Sequence, residues 1–141
     1  MTNPARTADD PDAAALLRLE VARLRSLQVR RRFGTVVHVG RLAGERRSCP
    51  VPTGDPCLDH GTRVELLVGL LEASGEDQTT AAWITREGRP GLGDEDLAWL
   101  AASIGAYGAL GREPAGFWTV TRWGWLDVRT GETRTWKRLR A

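Results

Sequence analysis

From Thr62 onward the hydrophobic period of the chain switches back and forth between that of a helix and that of a strand, which restricts the architectures open to it. Val64, Leu67, Val68 and Leu71 line one helical face, and AAWIT (81–85) is a short apolar strand. Leu97, Leu100, Ala101 and Ile104 form a second helical stripe, expected to be buried, and FWTVTRW (117–123) is rich in the aromatic and β-branched residues of a strand. Val128-Arg129-Thr130-Gly131 suits a type I turn with Gly131 at positive φ, joining WLDV to ETRTWKRL as a hairpin. Helix, strand, helix, strand, strand is the order of an α/β (α+β) domain in which a mixed sheet is covered by helices.

Local signals set the expected boundaries. Thr62 and Glu65 have capping-box spacing and Gly75 closes the first helix. Asp94, Glu95 and Asp96 favour the positive start of the second, and Gly111 with Pro114 ends it. Upstream, Asp10-Pro11 opens a helix over about residues 11–32, striped by Ala13, Leu17, Val21 and Leu24, with Arg30-Arg31-Arg32 near its negative end and Gly34 beyond. The stripe covers about two heptads, too short for a coiled-coil rod but enough for packing, or for a homodimer through residues 11–32. TVVHVG (35–40) reads as a strand, and residues 43–61, with three prolines and three glycines, as one long irregular loop. The expected organisation is a disordered segment 1–10, an N-terminal helix 11–34 and a single α/β domain 35–141.

The net charge of +2 is too small to demand a polyanionic partner, but it is unevenly spread: +3 over residues 1–60, −5 over 61–115 and +4 over 116–141. Nineteen of the twenty basic residues are Arg, a pattern read more simply as genomic base composition than as selection for phosphate. No stretch is apolar enough to span a membrane and the first residues lack the apolar run of a signal peptide, so a cytoplasmic protein with reduced cysteines is expected.

The chain's four Cys and His residues, His38, Cys49, Cys57 and His60, fall within one stretch and have the composition of a tetrahedral zinc site. Their spacing argues against it: seven residues separate the cysteines where two to four are usual, and His38 lies in a strand. The expectation is therefore no cofactor, with zinc as the alternative. No serine has the flanking glycines of a strand-turn-helix elbow, and REGRPGLGDED carries neither phosphate-binding fingerprint. An enzyme reading would place a site where the 43–61 loop meets the acidic 86–96 loop, with Asp59, His60 and Asp96 as acid or base groups beside Cys49 and Cys57.

Residues 62–123, in their order of helix, apolar strand, Gly/Pro loop, helix and strand, resemble the core of the JAB/JAMM metalloprotease superfamily, whose zinc motif reads H-x-H, seven residues, S, two residues, D. Laid on WITREGRPGLGDED, the motif falls on Trp83, Thr85, Gly93 and Asp96, and Asp96 alone matches; Gly88, Pro90 and Glu95 also coincide in this register. The resemblance implies a metal-free relative of that fold and no protease, because a site without imidazole does not hold the zinc that activates water. WITREG, DEDLAWLAA and TRWGWLDVRTGETRTWKRLR, within residues 60–141, are also similar to segments of uncharacterised conserved proteins of high-GC Gram-positive bacteria.

The last 26 residues hold four of the six tryptophans and six basic side chains. On strand 132–140, Arg134, Trp136, Arg138 and Arg140 share one side by alternation, and Arg129 sits in the turn before it. Arginines flanking an indole stack bases and clamp phosphates in single-strand binders; they also guard sheet edges. Trp118, Trp123 and Trp125 are assigned to the core. The function expected is a noncatalytic interaction module that takes a protein or nucleic-acid partner through this basic hairpin.

Overall fold

Alternate residues of five-residue strands point to opposite faces, and here both faces are covered by helices. The computed structural model describes residues 11–27, 33–52, 58–75 and 79–137. In chain order the elements are α1 (Pro11–Leu27), β1 (Val36–Gly40), β2 (Arg46–Pro50), α2 (His60–Ala73), β3 (Ala81–Thr85), α3 (Asp94–Ala109), β4 (Phe117–Thr121), β5 (Gly124–Asp127) and β6 (Thr133–Thr135). They form one six-stranded sheet of order β2-β1-β3-β4-β5-β6. β3 and β4 run parallel, joined by the α3 crossover, and the other pairs are antiparallel. The expected mixed sheet covered by helices is the fold observed. Among the described residues no helix is long and apolar enough to cross a membrane.

The alternation is legible residue by residue. Ala82 and Ile84 of β3, Phe117 of β4 and Leu126 of β5 face α2 and α3, where they pack with Leu67, Leu71, Trp99, Ala102 and Ala106. Trp83, Trp118, Val120 and Trp125 face the other way and meet Ala13, Leu17, Val21 and Leu24 of α1. Four tryptophans, Trp83, Trp99, Trp118 and Trp125, are at most 1% exposed, and each large apolar side chain so buried contributes on the order of 2 kcal/mol. The α1 stripe is consumed by the chain's own sheet. A homodimer through residues 11–32 would have to use the opposite side of α1, where Leu19 and Leu27 are exposed, and residues 28–32 lie outside those described.

Four expectations are corrected. The 43–61 loop is not wholly irregular: Arg46–Pro50 is an edge strand paired with β1 from Val36↔Pro50 to Gly40↔Arg46. Its RRSCP sequence has no strand signature, and it is held by the open edge of β1 and by an ion pair beneath it. α2 begins two residues early because Asp59, not Thr62, is its cap: the Asp59 carboxylate accepts from the Thr62 N–H at 2.8 Å. α3 buries a different face from the one expected. Asp96, Trp99, Ala102, Ser103, Ala106 and Tyr107 point inward, while Leu97 and Ile104 stay 49% and 61% exposed. Trp123 is 42% exposed rather than core. At the far end, Gly131 has the anticipated positive φ of 83°, and Asp127 Oδ1 accepts from the Arg129 and Thr130 N–H groups to fix the turn. Gly124 is required by close approach, since a Cβ there would stand 1.8 Å from the Arg134 carbonyl oxygen of β6.

Candidate nucleic-acid interface

In open α/β sheets ligands bind beyond the carboxyl ends of parallel strands, where the connecting loops leave a crevice. The carboxyl ends of β3 and β4 are Thr85 and Thr121, and the loop 86–93 and the turn Arg122-Trp123 leave from them. Two adjoining clefts of about 840 and 640 Å³ open here and share Phe33 and Glu87.

Asp96 organises the loop. Buried completely at the start of α3, it accepts from Arg86 Nε and Nη2 at 2.9 Å each, from Thr119 Oγ1 at 2.7 Å and from the Gly93 N–H at 3.0 Å. Arg86 spends its remaining donors on the carbonyls of Glu87, Arg89 and Gly91. One ion pair therefore ties strand, loop and helix together. Desolvation pushes the Asp96 pKa up, but the hydrogen bonds from Arg86 and Thr119, the Arg86 charge and the Gly93 N–H outweigh it and hold the carboxyl below its ordinary value. A carboxylate with its lone pairs so occupied is a scaffold, not a proton carrier.

The larger cleft lies where the enzyme reading expects a site, between Val51, Pro52 and Leu58 on one side and the acidic loop on the other. In its lining Arg86 is paired with Asp96 and Glu95 accepts from the Thr35 hydroxyl at 2.6 Å, while Arg63 Nε is buried with no hydrogen-bond partner among the described residues. His60 does not join them. A Cβ on Gly105 would stand 3.9 Å from His60 Nε2, and nine residues of helix place Gly105 about 13 Å along α3 from Asp96. Asp59 is exposed and engaged as the α2 cap, with the Thr62 N–H and hydroxyl lowering its pKa.

The four zinc candidates are likewise dispersed. His38 faces α1, stacked on Trp83 with ring centroids 5.3 Å apart, its Nδ1 2.6 Å from Ser48 Oγ and its Nε2 3.0 Å from Thr85 Oγ1. Cys49 pairs with Val37 and so projects to the opposite side of the sheet. His60 is exposed at the start of α2, and Cys57 lies outside the described residues. Among the described residues no group of three or more His, Cys, Asp or Glu is placed to hold a metal ion. Burial, then the charges of Arg46 and Arg23, lowers the His38 pKa to about 3, which makes it a neutral packing group and a feeble base. Beside it Arg46 lies 4.9 Å from the Trp83 ring centroid and forms a bidentate pair with buried Glu20, at 2.7 and 2.6 Å.

The smaller cleft is different in kind. It is lined by Arg25, Phe33, Glu87, Gly88, Arg122, Trp123 and Lys137. Arg25 reaches it from α1, its Nε donating to the Arg122 carbonyl and its Nη2 to the Trp136 carbonyl at 2.8 Å. Both acceptors are backbone. Desolvation and then the like charge of Arg122 lower the Arg25 pKa, and Arg122 Nε is buried with no hydrogen-bond partner among the described residues. Trp123 stands in the two-residue β4–β5 turn, its N–H held by Thr121 Oγ1 at 3.1 Å, with the Arg89 guanidinium 5.4 Å from its ring centroid.

Comparison of the chain with family profiles, curated proteins and solved structures found no match to any of them.

Of the hairpin residues singled out from sequence, Trp136 is half-buried against the α1 face, with Arg18 5.6 Å from its ring centroid. Arg129 and Arg134 are exposed, one in the turn and one on β6, and Arg138 and Arg140 lie outside the described residues. Arg25 and Arg122 are residues of the smaller cleft that sequence reasoning passed over, and Trp123, which it assigned to the core, joins them there, with Arg89 over its ring. The available signal was the tripeptide Arg-Trp-Gly after Thr121, which reads as a tight turn that lifts its indole away from the sheet.

Proposed function

We propose that the chain is a noncatalytic module that binds single-stranded nucleic acid at the smaller cleft, a base stacking on Trp123 while Arg25, Arg122 and Lys137 receive phosphate. The observation that carries this reading is an exposed indole beside a cluster of cations that, among the described residues, faces the single carboxylate of Glu87. Bringing guanidinium groups together and desolvating them opposes folding unless an anion is to be received there. A stacking platform next to such a cluster is the arrangement that grips a strand without reading its sequence. The positive charge of residues 116–141 and the separation of His60 from Asp96 support the same choice over a reactive cleft.

The test is fluorescence-anisotropy titration of short single-stranded oligonucleotides at several salt concentrations. Affinity is expected to fall linearly with salt on logarithmic axes, with a slope of roughly −0.7 per phosphate engaged. Trp123→Ala removes a stack worth about 1–3 kcal/mol, so affinity drops roughly five- to hundredfold. Arg122→Ala weakens binding and lowers the salt slope by about one phosphate's share. Arg134→Ala, on the outer strand, changes affinity by less than about threefold. No binding at low salt, or binding indifferent to Trp123→Ala, overturns the proposal.

A further inference from the structure

We propose that the outward face of α3 joins two copies of this chain, the helices packing antiparallel about a two-fold axis level with Ala102 and Ser103. Leu97, Ala101, Ile104 and Gly108 recur at spacings of four, three and four, so they fall on one narrow stripe of the helix. All four are exposed, Leu97 at 49% and Ile104 at 61%.

The stripe alternates large, small, large, small. Reversed against itself about that axis, it sets Leu97 opposite the partner copy's position 108 and Ala101 opposite its position 104, each large side chain meeting a small one. This self-complementarity is what an isologous interface demands, each contact being made twice. Gly108 supplies an independent argument. Glycine disfavours a helix interior relative to alanine, yet a Cβ there would meet nothing within 4 Å of its own chain. Gly105 contrasts with it, because a Cβ at that position would stand 3.3 Å from Val64 Cγ2 of α2. The fold itself therefore calls for a small residue at 105 and leaves 108 unexplained, whereas a leucine from a second copy fills the open slot.

Arg112, just beyond the end of the helix, donates from Nη1 to the Leu71 carbonyl of α2 at 3.0 Å and so stays with its own chain. Antiparallel alignment opposes the two helix dipoles favourably. By comparison, the exposed Leu19 and Leu27 of α1 are separated by Arg23 and Ser26 and form no continuous apolar stripe. The α3 stripe is only about 16 Å long, below the standard size of a stable interface, so the dissociation constant is expected to be about micromolar or weaker.

Sedimentation equilibrium of the full chain from about 1 μM to about 1 mM spans that range. A monomer–dimer equilibrium is expected, abolished by Ile104→Glu with no change in the thermal midpoint, since Ile104 is exposed in the single chain. A register test separates this interface from any other. Gly108→Leu sets two leucines against each other and weakens association by roughly tenfold or more. Adding Leu97→Ala to the same chain restores a large–small pair and recovers affinity to within about threefold. A chain that stays monomeric throughout, a dimer unaffected by Ile104→Glu, or a double variant no better than Gly108→Leu alone overturns the proposal.

Discussion

Replacing Asp96 by Asn probes the contact on which the cleft rests. The substitution keeps the side-chain shape but removes the charge and turns one acceptor into a donor, which would face an Arg86 N–H at a site where the carboxylate is fully buried and the guanidinium side chain only 14% exposed. Arg86 has its other donors on three loop carbonyls and does not swing into solvent without releasing them. Truncating one partner of a buried, hydrogen-bonded pair costs about 3–5 kcal/mol, because the remaining charge is stranded. For a domain of this size each kcal/mol lowers the thermal midpoint by roughly 3–5 °C, so a fall of about 10–25 °C is expected. Thr119→Val, which removes one of the hydrogen bonds to the same carboxylate, should cost only about 1 kcal/mol. The pH dependence has a definite sign. Because the folded-state pKa is depressed, the stabilisation is present above the unfolded carboxyl pKa and is lost as pH falls through the lower folded value. Differential scanning calorimetry of both proteins from neutral to acidic pH reads both effects, and the Asn variant should show a flatter acid limb. A midpoint within about 2 °C of the parent, or an unchanged acid limb, would falsify the view that this ion pair holds the loop; so would undiminished oligonucleotide affinity in a variant that has lost the pair, since Glu87, Gly88 and Arg89 reach the cleft through that loop.

Gly124→Ala is expected to detach β6, because its Cβ meets the Arg134 carbonyl, and to carry Lys137 away from the cleft; amide exchange should quicken at Thr133 and Thr135. His38, with its pKa near 3, binds a proton in the unfolded chain before it does in the folded one. Its contribution to stability is therefore complete above the unfolded pKa of about 6.5 and is lost as pH falls from there towards 3, and an NMR titration in which the His38 ring protonates near pH 6 contradicts this. Tyr107 is the chain's one tyrosine, and burial raises its pKa to about 12 despite the Thr80 hydroxyl at 2.8 Å; tyrosinate absorbance rising near the ordinary value of about 10 would show the ring to be wet. Gly108→Ala should raise the stability of dilute, monomeric protein by about 1 kcal/mol, measurable by urea denaturation; a loss of stability there would mean that the glycine serves the fold.

Much of the fold was written in local pattern. The α1 stripe is buried at the four positions its spacing indicates, Gly75, Gly111 and Gly131 all have positive φ where they end a helix or shape a turn, and the alternation of periods after Thr62 dictates a sheet between helices. These features depend on chain neighbours a few residues apart, which is the range over which period and turn chemistry act. What lies across a contact was decided elsewhere. α3 is apolar enough around its circumference to offer two stripes, and it buries the one carrying Asp96, Trp99 and Ser103 because Arg86 and Thr119 wait opposite the carboxylate. RRSCP becomes a strand because β1 has an unpaired edge, not because its residues prefer one. Trp123, read as the continuation of an apolar strand, stands in water because the chain reverses at Arg122. Sequence determined which segments coil and which extend, RRSCP apart; tertiary packing decided that strand and which face of each element is dry, because burial and edge pairing are relations between distant segments and no residue carries them alone.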